Sequence, residues 1–385
     1  MMKISLFTSL LIISTNLFSQ QQLNRSLFFD GLNRTYIVYI PAIYNSSSSV
    51  PVVFNFHGGG GLSSDFLSIN DMRPVADTAN FIAVYPQAAT DPEDGSYSWM
   101  HKSPTTHNDV HFIEALLDTL SSEFNIDNER VYACGYSEGG IFSYELGCRL
   151  NNRIAAFSSV SGSMLTDSFR ESYYDLGICS PTHPTAVMLI PGTNDFSPHS
   201  NYNGLDPYYM SVSEITSYWT NFNNTDSDPI QTQVTDINSS DGSTVERRTW
   251  ENGDNCVSVE ELKIIDGGHD WPGSFGNMDI NATEEIWNFV SKFNKYGLIN
   301  CSTVSNESSI INSDISLYPN PVNKNLYIIK NYKKYENYIL FNFLGEIVEE
   351  GVLNQKENII DLALLNEGFY VLKIGDTSYK ILRYI

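Results

Sequence analysis

Val131-Tyr132-Ala133-Cys134-Gly135-Tyr136-Ser137-Glu138-Gly139-Gly140 is the stretch whose reading decides the fold. Just beyond Asp127 and Arg130, a short apolar run reads as a fully buried strand. Beyond the quoted stretch, Ile141, Tyr144, Glu145, Cys148 and Leu150 recur with a helical period. The pentapeptide Gly135–Gly139 therefore lies where a strand turns sharply into a helix, lifting Ser137 on a strained corner above the sheet end. Crowding explains the glycines: in so tight a turn, a side chain at 135 or 139 would collide with a neighbouring strand or helix. The helix start also aims backbone N–H groups and a positive dipole end at charge developing there. A bare Gly-x-Ser-x-Gly also arises by chance in Gly/Ser turns, so the rest of the chain must decide.

Working outward, Pro51–His57 is a buried strand that runs directly into Gly58-Gly59-Gly60-Gly61. A flexible linker would follow a core strand only after a polar break. Bare N–H groups that approach a ligand closely are the better reading. Phe81–Pro86, Ala155–Val160, Pro184–Ile190 and Val259–Ile265 are further apolar strands. Asn108–Phe124, Ser211–Phe222 and Glu284–Tyr296 read as helices. Leu23–Pro41 reads as a hairpin turning at Asp30–Asn33, and Pro229–Asn252 as an inserted hairpin around Ser239–Gly242. Strands alternating with helices specify an α/β fold, a mostly parallel central sheet flanked by helices.

Acyl transfer by serine needs a base, an acid to orient it, and donors for the oxyanion. After Ser137, the strand ending at Ile190 runs into Pro191-Gly192-Thr193-Asn194-Asp195. The strand ending at Ile265 runs into Asp266-Gly267-Gly268-His269-Asp270-Trp271-Pro272-Gly273. Alone, Asp195 is a turn former and His269 a solvated loop histidine. Together, in the order serine, acid, histidine and after strand ends, they form a candidate triad.

These segments, with Asn108-Asp109-Val110-His111-Phe112, resemble the secreted polyhydroxybutyrate depolymerase and feruloyl esterase family of α/β-hydrolases over residues 34–297. The Gly-Gly-His-x-Trp-Pro-Gly segment is the most specific part of that resemblance. It implies Ser137 as nucleophile, Asp195 as acid and His269 as base. The oxyanion donors would be the N–H groups of Glu138 and Gly59, and His57, Gly58 and Trp271 would line the substrate site. Departures exist. Pro191 replaces the usual histidine before Gly-Thr, and Glu138 stands where Asn or Ala is commoner. Family members also carry a cysteine after the helix containing Trp219, paired with one near Cys256. Phe222-Asn223-Asn224 stands there, so no Cys256 bridge is expected by that route.

At its start the chain has Lys3, an apolar Ile4–Phe18 and Ser19 before Gln20, which reads as a secretory signal peptide over residues 1–20. Export permits disulfides among Cys134, Cys148, Cys179, Cys256 and Cys301, but their connectivity is open, and the odd count leaves at least one thiol. Cys134 reads as a core residue. No Cys/His spacing suggests a metal, and the chemistry requires no cofactor.

The 385 residues allow one large domain, here 21–300, plus a small one. A Ser/Asn-rich linker over 301–312 leads to short alternating runs in 313–385, a small all-β sandwich. Leu317–Val322, Phe343–Glu346 and Gly368–Lys373 resemble the C-terminal sorting domain of the bacterial type IX secretion system. The resemblance implies the secretion machinery as partner and an extracellular or cell-surface destination. A carbohydrate-binding module is the rival reading, and would want a row of exposed aromatics. Residues 313–385 hold 8 basic and 9 acidic side chains, so nearly all the net charge of -23 precedes them. So acidic a body repels nucleic acid and anionic membranes and suits a neutral substrate.

A serine esterase acting on feruloyl or acetyl esters of plant or algal polysaccharide is therefore expected. Polyhydroxybutyrate depolymerase is the alternative, less favoured because granule-degrading enzymes carry a polymer-binding domain. A catalytically dead surface-binding protein is the non-enzyme reading, and it would be expected to have lost a triad member or the glycine loop.

Overall fold

Seven consecutive buried residues, Val50–Phe56, form a strand with both faces covered, and they set the pattern of the whole first unit. The computed structural model describes residues 20–92, 94–99, 109–301, 315–320, 322–330, 335–342, 345–375 and 377–384. The signal-peptide reading falls on residues outside these, as does nearly all of the linker. The chain divides into two compact units after Cys301.

The first unit is built on one ten-stranded sheet. Its strands are β1 (Gln21–Phe29), β2 (Leu32–Ile40), β3 (Val50–Phe56), β4 (Ile82–Pro86), β5 (Ile126–Tyr136), β6 (Ala156–Val160), β7 (Ala186–Ile190), β8 (Ile230–Gln233), β9 (Thr244–Trp250) and β10 (Val259–Ile265). The spatial order is β1-β2-β4-β3-β5-β6-β7-β10-β9-β8. From β4 across to β10 every pairing is parallel, and both ends are finished by antiparallel strands. Helices α1 (Ser63–Ile69), α2 (Arg73–Ala79), α3 (Asp109–Glu123), α4 (Glu138–Arg149), α5 (Asp167–Tyr173), α6 (Val212–Asn223) and α7 (Ala282–Val290) connect them.

Alternation along the strands feeds two cores. Phe54 and Val52 point to the face covered by α3, α4 and α6, and Val53 to the face of α1, α2 and α7. Each fully buried Val, Leu or Phe contributes roughly 1.5–3 kcal/mol, which is why these apolar runs lie inside. This is the α/β-hydrolase-like core expected from sequence. One element differs: Pro229–Asn252 is not an insertion but the antiparallel edge of the main sheet, β9 pairing with β10 along its whole length. The closing helix also ends at Val290, and a two-strand turn at Phe293–Asn294 and Gly297–Leu298 follows.

Disulfides join Cys148 to Cys179 and Cys256 to Cys301, and Cys134 is a buried free thiol. Cys256 is thus bridged after all: the end of the unit folds back to it, replacing the partner that Phe222–Asn224 lacks.

The second unit holds a three-stranded and a four-stranded antiparallel sheet sharing one core. In chain order its strands are β11 (Ile315–Tyr318), β12 (Asn325–Lys330), β13 (Glu336–Asn342), β14 (Ile347–Leu353), β15 (Glu357–Asp361), β16 (Gly368–Ile374) and β17 (Thr377–Arg383). Leu326, Leu340, Leu372 and Ile381 are fully buried between the sheets.

Candidate active site

Strand β5 passes into α4 through Ser137, whose backbone is forced to φ 56°, ψ -120°. An L-residue rarely adopts such angles, and strain of this kind persists only where the surroundings over-determine it. Here the surroundings leave no alternative. A Cβ on Gly135 would lie 2.1 Å from the Gly139 carbonyl oxygen, and one on Gly139 would lie 2.2 Å from that of Phe56 in β3. Ser137 N–H donates to the Val160 carbonyl at 2.9 Å, tying the corner to β6.

His269 Nε2 lies 3.0 Å from Ser137 Oγ, and its Nδ1 lies 2.7 Å from Asp195 Oδ2. Three loops, after β5, β7 and β10, thus converge at the carboxyl edge of the parallel strands, with β6 between β5 and β7. Asp195 is 2% exposed. Burial alone would raise its carboxyl. Hydrogen bonds from His269, Ser197 N–H and Ser200, with the nearby imidazole, outweigh that and hold it below its ordinary value. The two acids nearest His269 in sequence are engaged elsewhere: Asp270 Oδ2 accepts Gly268 N–H at 2.8 Å and Asp266 Oδ1 accepts from Asn194. Tyr136 Oη donates to the His269 carbonyl at 2.8 Å, clamping the histidine loop to the corner itself.

The glycine loop lies against the serine, the Cβ position of Gly58 falling 3.2 Å from Ser137 Cβ. His57 locks that loop from behind. Its Nδ1–H donates to the Gly58 carbonyl at 2.7 Å, and its Nε2 accepts from Gln87 and Ala88 N–H. Burial pushes its pKa down to about 4, so it stays neutral and keeps this tautomer. Trp271 is also buried, stacked edge-on against Phe66 and donating to Thr283 Oγ1. Direct contact of either side chain with substrate does not agree with this burial. Both brace the loops that carry Gly58, Gly59 and His269. The Asp109 of the family-like segment is likewise buried, paired with Arg34 at 2.6 Å. Asn108 lies outside the described residues.

Two neighbours of the triad escape sequence reading. His199 Nε2 lies 3.4 Å from Ser137 Oγ, and Ser200 Oγ lies 3.0 Å from His269 Nδ1. Both come from the irregular 191–210 segment, which has no period to betray their direction. Their nearness to Asp195 was the only signal. Next to His199 stands an aromatic group: Tyr209 at 6.3 Å between ring centroids, then Phe169, Tyr173, Tyr174 and Tyr208 packed on one another. Glu138 adds a carboxylate at this wall. It accepts from Ser98 Oγ and reaches the Cβ position of Gly59 at 2.9 Å.

A serine hydroxyl bonded to an imidazole whose other nitrogen faces a buried carboxylate is equipped for nucleophilic acyl transfer.

A bifunctional acetylxylan esterase/xylanase of Neocallimastix patriciarum is 25% identical over 273 residues, 71% of this chain and 35% of its own length. Feruloyl esterase B of Piromyces equi is 24% identical over 267 residues, 68% of this chain and 45% of its own. The chain therefore spans less than half the length of these relatives. Among solved structures, an acetyl xylan esterase from Aspergillus awamori aligns with a TM-score of 0.48 at 15% identity, covering 71% of this chain and 99% of that one. Residues 316–385 match the secretion system C-terminal sorting domain. The chain thus carries a C-terminal type IX sorting domain behind an α/β-hydrolase-like unit broadly related to feruloyl and acetylxylan esterases.

Proposed function

We propose that the first unit is a serine esterase that cleaves feruloyl or acetyl esters on plant or algal polysaccharide through an acyl-enzyme. The hydrogen-bonded chain Ser137–His269–Asp195 at the sheet edge is the observation that carries this reading. Asp195 holds the His269 Nδ1–H, leaving Nε2 free to take the Ser137 proton as Oγ attacks the ester carbonyl. The N–H groups of Glu138 and Gly59 receive the oxyanion at the start of α4 and in the glycine loop. Collapse expels the alcohol, protonated by His269. Water then repeats the sequence and releases the acid.

The substrate class draws its support from the aromatic group beside His199. Tyr173 and Tyr208 are 39% and 43% exposed there, and such faces suit a planar acyl group or a sugar ring. The acidic body favours uncharged polymer. The sorting domain supports export, with the type IX machinery as partner and the outside of the cell as destination. Among the described residues no helix is long and apolar enough to cross a membrane.

Assaying the purified protein on p-nitrophenyl acetate, methyl ferulate, acetylated xylan and polyhydroxybutyrate tests the reading. Hydrolysis of the first three is expected. Turnover of the polyester alone would replace it with a depolymerase, and inactivity on all four would refute an esterase.

A further inference from the structure

Among the described residues two imidazoles, not one, reach the nucleophile. His199 Nε2 stands 3.4 Å from Ser137 Oγ, at the long end of hydrogen bonding, and His269 Nε2 stands at 3.0 Å. The rings are 6.0 Å apart and nearly perpendicular, at 86°, so they do not stack face to face. His199 is also held from outside its own loop. Its carbonyl accepts Ser163 N–H at 2.9 Å, from the segment after β6, and its ring meets Tyr209 edge-on.

The valence of a hydroxyl decides what a second imidazole does there. Ser137 has one hydrogen and two lone pairs on Oγ. The hydrogen goes to His269 Nε2, because the other nitrogen of that ring carries its proton toward Asp195. Only a lone pair remains for His199, so His199 faces it as a donor, through Nε2–H. A donor on Oγ acts oppositely in the two halves of an acyl transfer. It opposes attack by Oγ, whose electron pair it engages. It favours departure of Oγ, where an electron pair accumulates.

We infer that His199 is a second catalytic residue, donating a hydrogen bond from Nε2–H to Ser137 Oγ and speeding breakdown of the acyl-enzyme. The inference rests on the esterase reading above. In deacylation His269 Nε2 takes a proton from water as the water oxygen bonds to the acyl carbon. The tetrahedral intermediate then collapses: the carbon–Oγ bond breaks, its electron pair passes to Oγ, and His269 returns the proton there. His199 gives up no proton. It stabilises the charge on Oγ between bond breaking and protonation. The same contact fixes the Ser137 rotamer in the free enzyme, leaving the hydrogen directed at His269.

The test is the steady-state and stopped-flow kinetics of p-nitrophenyl acetate hydrolysis by the full chain, wild type against H199F, H199Q and H199N. Glutamine places an N–H near the position of Nε2, and asparagine falls short of it. In H199F, kcat is expected to fall ~10- to 100-fold, the scale of one hydrogen bond to a charged group. Its kcat/KM should stay within about threefold of wild type, because losing the donor frees the Oγ lone pair for attack and loosens the Ser137 rotamer, two effects on acylation that oppose one another. KM falls in parallel, and a burst of p-nitrophenolate, about one equivalent per active site, precedes the slow phase. H199Q is expected to recover most of kcat. If H199F does not fold, a high kcat in H199Q with a low kcat and a burst in H199N carries the same result. A kcat/KM that falls as much as kcat, with no burst, would make His199 structural and overturn the inference. An unchanged kcat in H199F or H199N overturns it too. Wild type that turns over while those variants match it sinks this inference alone, and wild type that releases no p-nitrophenolate sinks the esterase reading as well.

Discussion

Strand β3 is buried at all seven residues, whereas β16 in the second unit alternates between buried and open positions. The contrast separates two ways of building a domain. A parallel sheet needs helical crossovers, which cover both its faces and bring loop after loop to the same carboxyl edge. Ser137, Asp195 and His269 meet because β5, β7 and β10 run in the same direction. In the antiparallel sandwich neighbouring strands run in opposite directions, so strand ends of one sense do not collect at one edge. The sandwich presents outer faces instead, such as the stacked Tyr318 and Tyr327, 5.5 Å apart across β11 and β12. One architecture suits chemistry, and the other suits being recognised. Charge follows the same division, the acidic excess lying in the first unit.

The sharpest way to break this comparison is to remove the nucleophile. Ser137→Ala is expected to reduce ester turnover by ~10⁴-fold or more, with thermal stability unchanged. All five tryptophans precede residue 300, so their fluorescence reports on the first unit alone. Near-normal rates in the variant would remove Ser137 from the mechanism.

Asp195→Asn is expected to cost roughly 10³- to 10⁴-fold in kcat. An amide donating to Nδ1 would leave the proton on Nε2, the nitrogen that must accept from Ser137. Asp266→Asn, whose carboxylate faces Asn194 rather than the imidazole, should stay within about threefold of wild type. The reverse ranking would reassign the acid.

A third test uses His57. Its folded pKa is depressed to about 4 from 6.5, so the neutral form stabilises the fold fully above pH 6.5. That contribution is lost as pH falls from 6.5 to 4, amounting to about 3 kcal/mol over the window. The tryptophan-detected melting midpoint should therefore drop steadily across that range. The second unit contains no histidine, so its own transition, read as the calorimetric peak that a chain ending at Cys301 lacks, should be nearly flat from pH 7 to 5. A flat tryptophan midpoint from 6.5 to 5 would show that His57 is not held neutral as its contacts require.

The smallest expected effect is the most informative about the second unit. A chain ending at Cys301 keeps the Cys256–Cys301 disulfide and should hydrolyse both soluble and polymeric esters within about twofold of the full chain. In the native host it should remain in the periplasm. Loss of activity on soluble ester would mean that the sorting domain belongs to the active fold. Loss on polymer alone would make it a binding module.

The sequence by itself determined the elements that bury apolar runs and the corner that carries the serine. Period and composition act locally: Val131–Cys134 must be covered, and Gly135 and Gly139 are the residues that let strand and helix touch. The order serine, acid, histidine was legible because each follows a strand end. Only the tertiary structure decided what the irregular segments do. It turned His57 and Trp271 inward to brace loops, because their ring nitrogens find partners more than ten residues away. It joined Cys256 to Cys301 across 45 residues, and it made β9 and β8 the edge of the main sheet. It also brought His199 to Ser137 across 62 residues of chain. Periodicity reports which side of an element is buried, but the aim of a loop side chain is set by the walls that receive it, and those walls exist only once the sheet has formed.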